Sequence, residues 1–283
     1  MQTRPWLLSF VVIGFLASAC SDPDEPGADA DGESGAEQDT GSNPTADGES
    51  GAEDSAASAG HDAIAEAILG AMWADDMSVT MDGESIVLES DGLPEHDVLE
   101  AYALMDGSTI GVDASSQSIT IPAIPVYSDT VTETGLGAIG MAISGGVYFN
   151  PYEGDGTSVA LDNNFDVGGV PFIDPCNGHP LPDGGTYHYH GVPYCITDVV
   201  DTPGEHSVII GALLDGFPVY GPFGADGEPP ADLDECSGHE GATPECPDGI
   251  YHYHLTEMSP YSITCYHGEV EDSGMPPGPP PGG

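Results

Sequence analysis

Two stretches of this chain repeat each other feature by feature, and that duplication limits the available folds more than anything else in the sequence. Ile139-Gly140-Met141-Ala142-Ile143-Ser144-Gly145 runs on to Asn150-Pro151, and Ile210-Gly211-Ala212-Leu213-Leu214-Asp215-Gly216 runs on to Gly221-Pro222 at a constant shift of 71 residues. Asp174-x-Cys176-x-Gly178-His179 then precedes Tyr187-His188-Tyr189-His190. In the second copy Asp234-x-Cys236-x-Gly238-His239 precedes Tyr251-His252-Tyr253-His254. Each copy closes with Pro-Tyr and a cysteine, Pro193-Tyr194-Cys195 in one and Pro260-Tyr261 with Cys265 in the other. The order of features is shared and only loop lengths differ, so one unit is built twice, over about 137–200 and 208–268.

Around these repeats the chain divides by composition. Residues 1–19 carry the single basic side chain, Arg4, before an apolar run from Trp6 to Phe15 that is too short to span a bilayer, which is the form of an export signal. Ala17-Ser18-Ala19 before Cys20 reads as a lipobox, making Cys20 the acylated first residue of the mature chain. The same three residues also fit an ordinary cleavage site that releases a soluble protein. Ser21, rather than Asp, after Cys20 is similar to lipoproteins sorted to the outer membrane of a double-membrane bacterium. Residues 20–60 are Gly, Ala, Ser, Asp and Glu with almost nothing to bury, an acidic disordered linker, and residues 271–283 form a Pro/Gly tail. The folded domain is therefore expected over 61–270. A helix is predicted over His61–Met72, with Ile64, Ala67, Ile68 and Met72 on one face. Beyond it, short segments such as Ser78–Met81, Ser85–Leu88 and Ser118–Ile121 read as extended. With Gly 40 and Pro 26, the fold class is mainly β with one or two short helices, internally duplicated and disulfide-containing.

Lys and Arg total 1 against 49 Asp and Glu, so after removal of the signal the chain has no cationic side chain except histidine. Nucleic-acid binding is excluded, because such a chain neutralises no phosphates. A buried carboxylate here is satisfied by backbone N–H groups, hydroxyls, histidine or a metal ion, since no Lys or Arg is present to pair with it. The cysteines follow the duplication, which predicts bridges Cys176–Cys195 and Cys236–Cys265 in an oxidising compartment and leaves Cys246 over if Cys20 is acylated. If Cys20 keeps its thiol, all six can pair.

In an extended strand residues i and i+2 point the same way, so each Tyr-His-Tyr-His sets two imidazoles on one face and two phenols on the other. Paired His-x-His is a recurrent zinc and copper ligand arrangement. If the copies meet about a pseudo-twofold, His188, His190, His252 and His254 converge, with His179 and His239 added from loops. Six imidazoles exceed the four ligands of one structural zinc and suit a two-metal centre, or one metal with supporting histidines. The plain reading is that the histidines are buried and hydrogen-bonded without metal. Asp174 and Asp234 either turn the backbone before the bridge or orient a histidine by accepting its second N–H. Asp162-Asn163-Asn164-Phe165-Asp166 lacks calcium-loop spacing and reads as a turn.

On these residues the chain resembles the bacterial YHYH-domain family, whose tetrapeptide it carries twice. The resemblance runs from about His96 to His267 and includes Gly92-Leu93-Pro94-x-His96, both Asp-x-Cys-x-Gly-His motifs and both tetrapeptides. Gly145 to Pro151 departs from it, reading Gly-Gly-Val-Tyr-Phe-Asn-Pro in place of an expected Asn-Gly-Val-Pro. The resemblance adds His96 to the candidate ligands and implies no particular activity. The expectation is an exported, lipid-anchored module of the cell envelope that binds copper or zinc. The alternatives are a metal-dependent enzyme, hydrolytic with zinc or oxidative with copper, and a structural surface module without metal.

Overall fold

The computed structural model describes residues 63–270. The signal segment, Cys20 with its linker, and the tail fall outside that range. Helix α1, residues 63–69, buries Ile64, Ala67 and Ile68. It ends before Gly70, earlier than the periodicity predicted, and leaves Met72 53% exposed. The segments expected to be extended form an antiparallel sheet of β1 (Ser78–Asp82), β2 (Ser85–Ser90) and β5 (Gln117–Pro122), in which Ile86, Leu88, Ile119 and Ile121 alternate into the core. Two small pairs flank it, β3 (Tyr102–Ala103) with β4 (Thr109–Ile110) and β9 (Asp166–Val167) with β10 (Val170–Pro171). The Asp162 segment is the turn expected of it, a 3-10 turn at Leu161–Asn163 whose Asp162 accepts hydrogen bonds from Ser259 and Tyr261.

The repeats build one eight-stranded sheet. Its first-copy strands are β7 (Ala138–Ala142), β8 (Val147–Phe149), β11 (Gly178–His179) and β12 (His188–Tyr189). After helix α2 (Tyr194–Val200) come β13 (Ile209–Leu213), β14 (Pro218–Tyr220), β15 (Gly238–Gly241) and β16 (Ile250–His254). The order β11-β12-β8-β7-β13-β14-β16-β15 reads the same from either end, with sequence-matched strands in matched places. At the centre β7 and β13 run antiparallel, pairing Gly140 with Leu213, Met141 with Ala212 and Ala142 with Gly211, a register that maps onto itself when the two strands are exchanged. Gly140 and Gly211 leave room for this contact, since a Cβ on either would strike the carbonyl of Ala212 or of Met141. In each half the tetrapeptide strand runs parallel to the second strand of its hairpin, β12 to β8 and β16 to β14.

β17 (Cys265–Gly268) pairs with β6 (Tyr127–Glu133) and closes the second copy. The bridges Cys176–Cys195 and Cys236–Cys265 form as the duplication predicts. Cys246, expected to be left over beside an acylated Cys20, is instead fully buried and disulfide-bonded.

Candidate metal centres

Alternation along the tetrapeptide strands separates phenols from imidazoles. On the phenol face Tyr187 donates to Asp174 Oδ2 at 2.7 Å and Tyr251 donates to Asp234 Oδ2 at 2.8 Å. The second phenols take matched partners of different chemistry: Tyr189 meets Ser144 Oγ at 2.8 Å, and Tyr253 donates to Asp215 Oδ2 at 2.6 Å. The spare oxygen of each motif aspartate holds a tight turn, with Asp174 Oδ1 accepting from the N–H of Cys176 and Gly178, and Asp234 Oδ1 from those of Cys236 and Gly238. The motif glycines follow from this packing, because a Cβ at Gly178 or Gly238 would collide with the phenol of Tyr187 or Tyr251 on its way to the carboxylate. Asp174 and Asp234 therefore orient tyrosines and turns. Neither touches a tetrapeptide histidine. Asp234 reaches only His267 Nε2, at 3.3 Å.

On the opposite face the imidazoles gather in two separate groups. His179, His188 and His190 form the first, with ligand nitrogens within 4.8 Å of one another, and all three are buried. His206, His252 and His254 form the second under the same limit. His239, the counterpart of His179, lies beside them with its Nε2 3.2 Å from His252 Nε2. The two tetrapeptide strands are five strand spacings apart, about 24 Å at ~4.8 Å each. The pseudo-twofold thus carries the tetrapeptides to opposite flanks of the sheet, and the four-histidine convergence expected from sequence does not occur.

Hydrogen bonding fixes which nitrogen of each ring faces inward. His188 Nδ1 lies 3.0 Å from the Thr186 carbonyl and His190 Nδ1 2.9 Å from that of Asn150. The second copy repeats both contacts, His252 Nδ1 with Ile250 O at 2.9 Å and His254 Nδ1 with Gly221 O at 2.7 Å. His206 Nδ1 meets Ser207 O at 2.6 Å, and His239 Nδ1 meets Asp232 Oδ1 at 3.0 Å. A carbonyl or carboxylate only accepts, so Nδ1 carries a proton in every case, and each ring that burial keeps neutral presents a bare lone pair at Nε2. Those lone pairs point at each other: His252 Nε2 stands 3.0 Å from His254 Nε2 and 3.2 Å from His239 Nε2. His179 Nε2 and His206 Nε2 are buried without a partner.

Protonation does not relieve this crowding. Burial lowers His190 to about 4, His252 to about 3 and His254 to about 2, and it holds His179 and His188 well below their ordinary value. Neutral imidazoles with converging lone pairs and Nδ1–H groups tied to carbonyls are the arrangement that metal-ligating histidines adopt. Nitrogens ~2.0–2.1 Å from a tetrahedral zinc are about 3.3–3.4 Å apart, close to the spacing seen here.

Two further sequence readings change. His96 joins neither histidine cluster; it sits on the phenol face with its Nε2 2.6 Å from Tyr189 Oη, grouped with Cys176 and Cys195, whose sulfurs are spent in their disulfide. His206 lies outside the motifs that the two copies share, yet it packs against His252 and His254, with ring centroids 5.5 and 5.2 Å away. The signal for it was positional: the 71-residue shift pairs His206 with Gly135, three residues before the first strand of each copy.

The surroundings of the two clusters differ. The first opens on a cavity of about 470 Å³ whose lining includes all three histidines together with Leu136, Phe149, Phe172 and Leu181. Phe149 stacks on His188 with centroids 3.9 Å apart, and Phe172 leans on His179 at 4.2 Å. In the second copy the place of Phe149 is taken by Tyr220, edge-on to His252 at 5.0 Å and donating to Glu245 at 2.8 Å.

Comparison with known proteins gives a family model described as YHYH protein, which matches residues 118–231 and again 226–268. Neither the search of curated proteins nor that of solved structures found a match.

Proposed function

This chain belongs to the YHYH protein family, and on that premise we propose that its two tetrapeptides serve two separate metal centres, His179/His188/His190 and His206/His239/His252/His254, in a protein that works outside the cytoplasm. The observation that carries this reading is the inward convergence of Nε2 atoms in the second cluster, with His252 Nε2 3.0 Å from His254 Nε2 and 3.2 Å from His239 Nε2, in rings whose Nδ1–H is already committed. A buried group of lone pairs without a cation is unfavourable, and burial has removed the option of a proton. All-imidazole sets suit zinc and copper. A metal that binds the folded state alone stabilises it by about 2.7 kcal/mol at a hundredfold excess over its Kd. Zinc added to metal-free protein should therefore raise Tm, and a chelator should reverse the rise. An unchanged Tm with both zinc and copper would favour a purely structural module.

The export-like first nineteen residues and the disulfide-bonded domain support a place in the cell envelope. No described helix is long and apolar enough to cross a membrane, so attachment would rest on a lipid at Cys20. Intact mass of the protein extracted from membranes tests it: an acylated Cys20 is predicted at the first residue, and an unmodified chain would remove the lipid from the proposal.

A further inference from the structure

The two clusters share three histidines each by matched position, and they differ at the place of the fourth. His206 fills that place in the second copy. Its counterpart in the first is Gly135, where an added Cβ would meet nothing within 4 Å. The carbonyls next to these positions play the same part in both copies, since Asn150 O receives His190 Nδ1–H and Gly221 O receives His254 Nδ1–H, and Asn150 in turn donates to Gly135 O at 2.9 Å. Where the second copy sets an imidazole, the first has the cavity of about 470 Å³, which borders His179, His188 and His190 and includes Leu136, the neighbour of Gly135. His179, 7% exposed, holds its unpartnered Nε2 in this same cluster.

We infer that the first cluster is a ligand-binding metal site with one open coordination position, whereas the second is closed by His206 and structural. This rests on the metal reading above. Three imidazoles leave a fourth position on a tetrahedral metal, and catalytic zinc sites keep such a position for water or substrate. The cavity that faces it has the size of a small-molecule site and is lined mainly by apolar and aromatic side chains. Its two charged lining residues, Asp106 and Glu153, are both acidic, and the mature chain has no Lys or Arg to offset them. The ligand is therefore an uncharged molecule with an apolar, ring-sized body and a single nitrogen or oxygen donor for the metal. A small anion is disfavoured by the carboxylates at the wall.

The test uses the whole mature chain loaded with cobalt(II), whose visible bands report coordination, and benzimidazole as the probe. Two cobalt ions should bind, and saturating benzimidazole should change the bands of one. Gly135→His should abolish that response while keeping both cobalt ions, because it supplies the missing imidazole. His206→Gly should extend the response to the second cobalt. Benzoate, of similar size but anionic, should bind at least tenfold more weakly. Cobalt binding without any benzimidazole response, or a response unaffected by Gly135→His, would overturn this inference and leave the metal centres standing. Failure to bind cobalt at all would overturn the metal reading itself. Benzoate binding as tightly as benzimidazole would overturn the choice of an uncharged ligand.

Discussion

Ser144 and Asp215 stand at matched places in the two copies, each under the second phenol of its tetrapeptide, and their difference has a measurable consequence. Asp215 is fully buried with hydrogen bonds from Tyr253 Oη, Gly268 N and Phe217 N, yet desolvation outweighs them and lifts its carboxyl from 3.8 to about 6. The folded state then keeps a proton that the unfolded chain loses earlier. Stability from this group is complete below about pH 4 and lost as pH rises to about 6, a change on the order of 3 kcal/mol at 1.36 kcal/mol per pH unit. Asp215→Asn should abolish this difference, so the gap in unfolding free energy between wild type and variant should vary with pH between 4 and 6 and level off above. A gap that is constant over this range would show that Asp215 titrates normally. The imidazoles act in the opposite sense. With His190, His252 and His254 held at about 4, 3 and 2 in the fold, metal-free protein should be most stable above pH 6.5 and lose stability as pH falls below it.

At the scale of elements, the Asp-x-Cys-x-Gly-His turn joins disulfide, phenol and imidazole in one short segment. Gly238→Ala places a Cβ against Tyr251, with the fixed turn leaving the ring little room to shift, and should cost about 1–3 kcal/mol in urea unfolding. A neutral result would show that the ring moves freely. Each bridge closes a loop of about twenty to thirty residues and should contribute ~3 kcal/mol, read as a lowered Tm in Cys176→Ala/Cys195→Ala. Alkylation under non-reducing conditions should leave Cys246 unlabelled. Both bridges, the three extended segments of the first sheet and the separation of phenols from imidazoles were legible in the sequence, because period-two alternation and matched cysteines are local signals. The helix end at Gly70 and the placement of His96 were not, since each depends on what packs across from it. Of the two roles the sequence left open for Asp174, the structure selects the turn, and only packing shows why a histidine is not oriented as well: Tyr102 and Tyr187 claim its other oxygen, at 2.8 and 2.7 Å.

For the whole molecule, the decisive fact is where the symmetric centre falls. The sequence allowed the tetrapeptides to meet at a twofold, but the fold puts β7 and β13 there and sends the histidines to the flanks. Repetition in a sequence predicts that two sites are alike without saying that they touch, and the strand order that decides it is a long-range property. Two flanking clusters imply two metals that bind independently, and additivity is expected across so large a separation. The direct test is metal analysis by plasma mass spectrometry on untagged mature protein, alongside His188→Ala/His190→Ala and His252→Ala/His254→Ala. Two equivalents of zinc or copper in the parent and one in each variant are predicted. One equivalent in the parent that is absent from both variants would mean one shared centre, and no stoichiometric metal in the parent after reconstitution would contradict the account outright.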